Sequence, residues 1–568
     1  MTPVTFDGCF GWLHAPRDRA SSDVAVLICT GLLQDAILAY GSLRVLADDL
    51  AAAGYPTLRF DYPGTGDSCD ETVERVGHWT AWQRSIDEAA NWLRAHSGAT
   101  QLVVVGLRLG TTLATLAAAR RDDVAGLLLF EPVPSGRAYV RQLLLEAEML
   151  SGTRPDKGED LPLREFRFSP ATLTEIGEVD LRKVTPKPGT EVALCAQTES
   201  KALDEMATAW RTAGNTVAAI GWDGLGPLVR HKIIEEDALA DFTAVLRWLR
   251  AAVPVQATEV AIRTDEAILR LPGSIETPLR FGPDRRLFGI LSRPDRGTAD
   301  TVVLIGNAGH DPHYASARHA VTLARKLALQ GVATLRLDYA GLGDSIAPAG
   351  KERMLSHVFA VDRSADVAAA IDALQALGFR RFGIGGLCSG AFHAFRTAVA
   401  EPRIGAVVVV NLPFFSMPAG NVLGFLEQKG QSPAGYIAKL FRPKTWATLM
   451  SGTVDYRGIF TGQVGRLRTR LSQRTMGLAR RSGLLREQSF AQKALSTLSA
   501  RRARVMFLFS PGEEAEGAFA HEFGPTAAGL AQHSGAEMKV VPGMDHDLTA
   551  PVARRAAEEM MVEFFSRP

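Results

Sequence analysis

The chain has 568 residues, of which 46% are hydrophobic and 22% charged, and its 63 basic and 62 acidic residues give a formal net charge of +1. Two domains are expected, because a chain of this length is seldom folded around a single hydrophobic core. The balanced charge argues against a general nucleic-acid or membrane-surface role. Residues 1–20 lack a basic start before an apolar stretch, and no apolar run is long enough to span a membrane. We therefore predict no signal peptide, no membrane span and a cytoplasmic location.

The predicted elements follow one order twice. An apolar strand (VAVLICTG, 24–31) leads into a Gly-containing loop, and LRFDYPGTGDS (58–68) follows after a helix and a second strand. The second half repeats these segments as VVLIGNAG (302–309) and LRLDYAGLGDS (335–345). Strands that alternate with helices indicate a parallel, doubly wound sheet in each half. A repeat of this length indicates domain duplication.

Each half then reaches the same turn from strand to helix. GLRLG (106–110) and GLCSG (386–390) carry the glycine frame of a nucleophile elbow, whose centre usually holds serine. The central residue is Arg108 in the first copy and Cys388 in the second. We interpret them as related domains of which only the second does covalent chemistry. A buried free cysteine is the alternative for Cys388, and Ser389 is the alternative nucleophile.

The strand–helix alternation stops after each elbow. Residues 133–186 and 414–504 look helical, which predicts a lid in each half. The last strands follow the lids, at 192–197, 217–222, 504–510 and 538–542. The domain boundary is expected near the Pro-containing stretch 253–260, so that the domains are 1–255 and 256–568.

On these motifs the chain resembles a tandem α/β hydrolase of the serine-aminopeptidase-like branch. The RxDxxGxGDS segment and the elbow occur in both halves. The first half, through GLRLG and PSGRAYVRQLL (134–144), is also similar to hydrolase-like proteins associated with bacterial exosortase and exopolysaccharide systems. The resemblance covers nearly the whole chain. It implies two tandem α/β-hydrolase domains, each a mostly parallel doubly wound sheet with a helical lid, and leaves the substrate open.

The family order of nucleophile, acid and histidine implies a triad in the second half. His546, in VPGMDHD (541–547), follows the last strand, which is the position of the family's catalytic histidine. The acid should follow the preceding strand, where SPGEEAE (510–516) offers Glu513, with Glu514 as the alternative. The family usually has aspartate there, so this chain departs from the pattern. The expected triad is Cys388, His546 and Glu513, in which the acid orients the imidazole.

The resemblance also implies an oxyanion hole. The backbone N–H of Ser389 is one expected donor and that of Gly309 the other, with Ala308 as the next candidate. His310 and His313 follow in the same loop and could touch substrate, but their spacing does not indicate a metal site. We expect no metal and no cofactor.

The acidic residues of the repeated RxDxxGxGDS segment look catalytic at first. Asp338 and Asp344 recur in the first half as Asp61 and Asp67, where no nucleophile exists. We therefore interpret all four as structural, either binding backbone amides of their loops or pairing with the arginines of the same segments.

The first half lacks the expected reactive groups. Arg108 is always charged and cannot act as a nucleophile. No histidine follows the last strand until His231, and the acid position offers only Glu199. One interpretation is a scaffold domain whose Arg108 pairs with a carboxylate such as Glu131. The other is an anion-binding site, because arginine at a helix N-terminus suits carboxylate or phosphate.

The second lid contains an arginine-rich run, residues 461–481, without acidic residues. The run suits a solvated helix face, or contact with phosphate on CoA or on an acidic carrier protein. No aromatic residues are interleaved with the arginines, so single-stranded nucleic acid is not expected.

Two functions follow as hypotheses. The first is an acyltransferase, thioesterase or esterase that acts on a small-molecule ester or thioester through an acyl-cysteine. A thioester intermediate reacts readily with other nucleophiles, which favours transfer. The second is a non-catalytic binding or scaffold protein built from two degenerate hydrolase folds.

Overall fold

The computed structural model describes residues 1–568 except 17–19, 152–155, 157, 165, 199, 223–239, 350–357, 360, 417–488, 525–526 and 568. Helices and strands alternate through most of the described chain. The first half contains β1 (Thr2–Phe6), β2 (Cys9–His14), β3 (Ala20–Ser22), β4 (Val24–Cys29), α1 (Gln34–Ala52), β5 (Thr57–Phe60), α2 (Glu71–Val76), α3 (His78–Ser97), β6 (Gln101–Leu107), α4 (Leu109–Arg120), β7 (Val124–Phe130), α5 (Gly136–Ser151), β8 (Leu161–Leu163), β9 (Phe166–Phe168), α6 (Pro170–Glu178), β10 (Glu191–Ala196), α7 (Lys201–Thr212), β11 (Thr216–Gly221), α8 (Thr243–Ala252) and β12 (Ala257–Ala261).

The second half repeats the pattern. It contains β13 (Leu269–Leu271), β14 (Ser274–Phe281), β15 (Leu287–Pro294), β16 (Thr301–Ile305), α9 (His319–Leu329), β17 (Ala333–Asp338), α10 (Ser364–Ala376), β18 (Arg381–Leu387), α11 (Ser389–Ala400), β19 (Ile404–Val410), α12 (Phe490–Ala500), β20 (Arg504–Phe509), α13 (Glu514–Phe523), β21 (Ala536–Val540) and α14 (Pro551–Ser566). The predicted last strands agree with β10, β11, β20 and β21 to within about two residues.

The two large sheets share one strand order. Within the described residues, the first sheet runs β1-β2-β5-β4-β6-β7-β10-β11 and the second runs β13-β14-β15-β17-β16-β18-β19-β20-β21. Neighbouring strands are parallel along β5-β4-β6-β7-β10-β11 in the first sheet. They are also parallel along β17-β16-β18-β19-β20-β21 in the second sheet. Antiparallel strands extend one edge of each sheet. The predicted fold class, two α/β halves with mostly parallel doubly wound sheets, is confirmed.

Helices cover both faces of each sheet, so the central strands are buried on both sides. In β4, Val24, Val26 and Ile28 join one apolar cluster, whereas Ala25, Leu27 and Cys29 join the other. In β16, Val302 and Leu304 face one cluster, and Val303 and Ile305 face the other. The continuous apolar runs of the sequence therefore reflect strands packed on two faces.

The insertions differ in part from the prediction. The first contains α5 and α6 but also an antiparallel pair, β8 and β9, so the expectation of a helical insertion is only partly correct. Most of the second, including the arginine-rich run, lies outside the described residues. Its end forms α12, which begins with a capping box between Ser489 and Gln492. Beside the predicted boundary, β12 pairs with β3.

The two halves pack against each other along β2 and β15. Phe10 and Trp12 from the first half form a buried cluster with Phe288 and Ile290 from the second. The rings of Trp12 and Phe288 lie edge to face with centroids 4.6 Å apart. Burial of these rings removes apolar surface of both halves from water and so stabilises their contact.

Candidate active site

The turn between β18 and α11 holds Cys388 in a conformation that residues other than glycine seldom adopt. Its φ is 54° and its ψ is −114°. Such a backbone is strained, and strain of this kind persists only where the surroundings enforce it. Cys388 is partly exposed, whereas the other four cysteines are buried. The backbone at Cys388 is therefore that of the predicted elbow.

Close backbone approach explains both glycines of this elbow. A Cβ on Gly386 would lie 2.3 Å from the carbonyl carbon of Gly390, and a Cβ on Gly390 would lie 2.7 Å from the carbonyl oxygen of Asn307. Any side chain at either position would push α11 away from the sheet or from the loop after β16.

The first elbow keeps this geometry without the thiol. Arg108 has φ of 53° and ψ of −120°, between β6 and α4. A Cβ on Gly110 would lie 2.2 Å from the carbonyl oxygen of Cys29. The glycine frame therefore preserves the packing of helix on sheet in both halves, whichever residue occupies the centre.

Arg108 is held by partners within its own half. Its Nε donates to Oδ2 of Asp35 at 3.3 Å, and its Nη2 donates to Oε1 of Gln142 at 3.0 Å. Arg108 thus pairs with a carboxylate, but with that of Asp35 rather than that of Glu131, the predicted example; Oε1 of Glu131 accepts from the backbone N–H of Gln197 at 2.6 Å. Burial raises the pKa of Asp35, and the nearby Arg108 charge partly offsets the rise.

The predicted base and acid lie on neighbouring loops. Glu513 follows β20 and His546 follows β21, and these strands are parallel neighbours. Nδ1 of His546 is 3.4 Å from Oε2 of Glu513, and the two side chains are 27% and 24% exposed. The structure thus brings His546 and Glu513 together. The side chain of Glu514, the alternative acid, is outside the described part of the chain.

A buried amide that the sequence reasoning missed joins these loops to the elbow. Asn411 directly follows β19, has φ of 50° and is fully buried. Its Nδ2 donates to Oγ of Ser510 at 2.9 Å and to the carbonyl oxygen of His546 at 3.0 Å. Its Oδ1 accepts from the N–H of Ser510 at 2.8 Å. The amide of Cys388 donates to Val410, the residue before Asn411. The Asn411 side chain therefore connects the loop after β20, which contains Glu513, to the loop after β21, which contains His546.

The repeat contained a signal for this position. Glu131 follows β7 as Asn411 follows β19, it also has positive φ (46°), and its carboxylate also binds the backbone after the next strand. A polar residue directly follows an apolar strand at this position in both halves. The sequence therefore offered Asn411 as a candidate for hydrogen bonding to the loops after neighbouring strands.

The loop that begins at residue 306 lies against the elbow. The backbone N–H of Gly309 donates to Oγ of Ser389 at 2.7 Å, and Ser389 is buried. The two expected oxyanion donors are therefore adjacent, but the Gly309 amide is engaged by the Ser389 hydroxyl. The N–H of Ser389, at the first turn of α11, has no acceptor within the helix. Burial of the Ser389 hydroxyl favours Cys388 as the nucleophile.

The acidic residues of the repeated segment have structural contacts, as we predicted. Oδ2 of Asp61 accepts from the N–H of Asp67 at 3.0 Å, and Oδ2 of Asp338 accepts from the N–H of Asp344 at 2.8 Å. Each loop is thus closed by its first aspartate. Burial and the neighbouring Asp67 charge raise the pKa of Asp61 to about 7.

The arginines of these segments pair across the two halves. Nη2 of Arg59 lies 2.9 Å from Oδ1 of Asp344, and Nη2 of Arg336 lies 2.9 Å from Oδ1 of Asp67. The expected partners are correct in type, but each arginine binds the other half's aspartate. A sequence cannot reveal such an exchange when both copies carry the same motif.

His313 lies in the middle of this network. Its Nδ1 is 2.8 Å from Oδ2 of Asp338, and its Nε2 is 2.6 Å from Oδ2 of Asp67. Burial alone would lower the pKa of His313, but the two carboxylates outweigh burial and raise the pKa well above 6.5. The protonated imidazole therefore donates to one aspartate of each half.

One group in this network has the donor types of a metal site. Ligand atoms of His313, Asp338 and Asp344 all lie within 4.8 Å of one another. The imidazole already bridges two carboxylates, and Asp344 accepts from Arg59 and from the Tyr40 hydroxyl. Cations of the chain itself thus neutralise these acids, and we assign no metal to them.

A comparison with family models agrees with this architecture. Residues 24–172 match the model described as alpha/beta hydrolase fold. The fold is that of an α/β hydrolase. The matched segment contains the elbow of Arg108 rather than that of Cys388. No curated protein sequence matches the chain significantly. None of the described helices is both long enough and apolar enough to cross a bilayer.

Solved structures with a similar fold each span about half of this chain. An esterase of Pyrococcus furiosus is 14% identical, covering 51% of this chain and 92% of its own, with a TM-score of 0.31. A cold-adapted esterase from an Arctic intertidal metagenomic library is 14% identical, covering 53% and 98%, with a TM-score of 0.30. The esterase domain of a Rhodothermus marinus protein is 17% identical, covering 51% and 98%, with a TM-score of 0.30.

Proposed function

We propose that the protein is an acyl-transfer enzyme with Cys388 as its nucleophile. The observation that carries the proposal is the strained, partly exposed Cys388 at the elbow, together with the His546–Glu513 pair on the loops after β20 and β21. Strain at a reactive side chain is typical of functional sites, where it is maintained by surrounding contacts. Here the backbone N–H of Cys388 donates to the carbonyl oxygen of Val410. Asn411, the next residue, binds the loops of Ser510 and His546.

The reaction would proceed in two stages. The Cys388 sulfur, its proton taken by His546, attacks an ester or thioester carbonyl, and a C–S bond forms. The leaving alkoxide or thiolate departs with a proton from His546, which Glu513 orients. Water or a second nucleophile then attacks the acyl-cysteine while His546 takes its proton. The acyl group leaves as an acid or a new ester, and the thiol is restored.

The oxyanion of each tetrahedral intermediate would form beside the elbow. We assign the Ser389 N–H as one donor and the Gly309 N–H as the other, with Ala308 as the alternative. Because Gly309 donates to the Ser389 hydroxyl, the hydroxyl must rotate or share that N–H when substrate binds. Binding of substrate is therefore expected to be coupled to the Ser389 side chain.

We further propose that residues 256–568 form the catalytic domain and that residues 1–255 form a supporting domain. The pairing of Arg108 with Asp35 and Gln142 favours a structural role for Arg108 over anion binding, because a paired guanidinium has fewer free donors. The substrate class is a small-molecule ester or thioester, free or carried on CoA or a carrier protein. The competing function is a non-catalytic scaffold.

The test combines turnover with intact-mass analysis. Purified protein is mixed with p-nitrophenyl acetate and with acetyl-CoA, quenched within seconds and analysed by mass. The proposal predicts an acetyl adduct on Cys388, lost in Cys388→Ala, and turnover at least about 100-fold lower in His546→Ala because the general base is removed.

The exposed His521→Ala and the buried Cys195→Ala provide matched controls, and each should keep the adduct and the turnover. If neither probe acylates Cys388, or if Cys388→Ala turns over as fast as the wild-type chain, the non-catalytic alternative is favoured.

A further inference from the structure

The first half contacts the second at the loop that carries Gly309, one of the two proposed oxyanion donors. This loop, residues 306–318, connects β16 to α9 and contains Gly309. Ala315, Ala317 and Arg318 in this loop have φ values of 61°, 49° and 56°. Each of these residues is strained, because its Cβ crowds the backbone at positive φ. Contacts from outside the loop must therefore hold it in place.

Arg318 provides three of these contacts. Its Nε donates to the carbonyl oxygen of Gly66 at 2.6 Å, its Nη2 to that of Ser68 at 2.6 Å, and its Nη1 to Oδ1 of Asp70 at 2.5 Å. All three acceptors belong to the repeated RxDxxGxGDS segment of the first half or to the residues just after it. Arg318 itself is buried, so water does not compete freely for its guanidinium.

A second set of contacts reaches the loop through His313. The imidazole joins Asp67 of the first half to Asp338 of the second. Oδ1 of Asp338 accepts from Nδ2 of Asn307 at 2.6 Å, and that Nδ2 also donates to the carbonyl oxygen of Asp311 at 2.8 Å. A continuous chain of buried hydrogen bonds thus runs from Asp67 to both ends of the turn that contains Gly309.

We propose that the half without a triad is a clamp for the oxyanion loop, and that Asp67 of the first half with Arg318 and His313 of the second are positioning residues for acyl transfer. The inference rests on the proposed function of Cys388 and assigns a role to the first half. It explains why the first half keeps the loop motif of a hydrolase although it carries no nucleophile. The motif's Asp67 and carbonyl groups hold the partner loop rather than a substrate.

The test compares two arginines that bind the same segment of the first half. Arg318 lies in the loop, whereas Arg325 lies one to two turns into α9 and donates to the carbonyl oxygen of Asp67 at 2.8 Å and to Oδ2 of Asp70 at 3.1 Å. Arg318→Met should lower kcat for p-nitrophenyl acetate by about 10- to 100-fold with KM nearly unchanged, since a misplaced oxyanion donor weakens only the transition state. Arg325→Met should keep kcat within about twofold.

Two further readouts separate positioning from stability. The rate of alkylation of Cys388 by iodoacetamide needs no oxyanion hole and should stay within about twofold in both variants. Hydrogen exchange of the amides in residues 306–318 should rise by about tenfold in Arg318→Met and little in Arg325→Met. Arg318→Lys, which keeps the charge, should recover part of kcat.

The outcomes distinguish the two proposals. Equal exchange and equal kcat in Arg318→Met and the wild-type chain overturn the clamp. So does an equal loss of kcat in both arginine variants. If the wild-type chain does not acylate Cys388, the proposed function fails, and the exchange experiment alone then decides whether the first half holds the loop.

Discussion

The glycine at the strand end of the elbow allows a sharp prediction. In Gly386→Ala the new Cβ would lie 2.3 and 2.4 Å from the carbonyl carbon and oxygen of Gly390, and 2.8 Å from the nitrogen of Ala391. These atoms belong to the first turn of α11, so relief requires a shift of roughly 1 Å between helix and strand. Overpacking of this kind costs about 1–3 kcal/mol, and we expect the upper end because the obstacle is backbone.

Gly405→Ala, in the adjacent strand β19, is the matched control. Its Cβ would meet nothing within 4 Å. Restriction of the unfolded chain should make this variant neutral or more stable by up to about 1 kcal/mol. In urea unfolding followed by circular dichroism, Gly386→Ala should lower the midpoint by about 1 M, and Gly405→Ala should not lower it.

The corresponding change in the first half separates packing from chemistry. A Cβ in Gly106→Ala would lie 2.5 Å from the Cα of Thr111, so a similar loss of stability is expected, but acylation of Cys388 should persist. Equal unfolding midpoints for Gly386→Ala and Gly405→Ala would refute the reasoning from backbone contact.

Three other predictions concern the buried groups. Trp12→Ala removes the ring that packs on Phe288 between the halves and should cost about 3–5 kcal/mol, measured by urea unfolding against the half-buried control Trp92→Ala. Arginine charges outweigh the effect of burial and hold the pKa of Glu276 well below 4.5, whereas that of His313 is raised well above 6.5. The stability from Glu276 is therefore present above about pH 4.5 and lost as the pH falls, and that from His313 is complete below about pH 6.5 and lost as the pH rises through its folded pKa. Both contributions are complete between about pH 4.5 and pH 6.5, and Glu276→Gln should lessen the fall of the thermal midpoint below this range; an equal fall in Glu276→Gln and the wild-type chain would contradict this. Burial raises the pKa of Cys29 to about 12, so iodoacetamide at pH 8 should modify Cys388 and leave Cys29 unmodified until the protein unfolds, which mass analysis can check.

Much of the architecture could be predicted because the repeat appears twice in one chain. Apolar runs of strand length, separated by helical patterns and placed in the same order, determine a doubly wound sheet through burial and backbone geometry alone. The elbow was equally readable, since only glycine tolerates backbone atoms at the distances found around Gly386 and Gly390. The positions of Glu513 and His546 followed from the family order, and the structure brings these two side chains together.

Side-chain contacts between segments that are distant in the sequence could not be predicted in the same way. Asn411 is one polar residue after an apolar strand, and its role depends on which loops lie beside it in space. Glu131 was the predicted example of a carboxylate for Arg108, but the fold supplies Asp35, at the start of α1, instead. Side-chain partners of this kind depend on packing between elements, which propensity and periodicity do not encode.

The sequence by itself determined two α/β halves, a thiol at one elbow, a cation at the other and the order of the candidate triad. These properties are local, because hydrophobic period and steric need act within one element or one turn. Only the tertiary structure decided that the two copies of one loop motif exchange their ionic partners, Arg59 with Asp344 and Arg336 with Asp67. The physical reason is that identical motifs offer identical charges, so the pairing depends on how the halves pack, and that packing brings the first half against the loop beside Cys388.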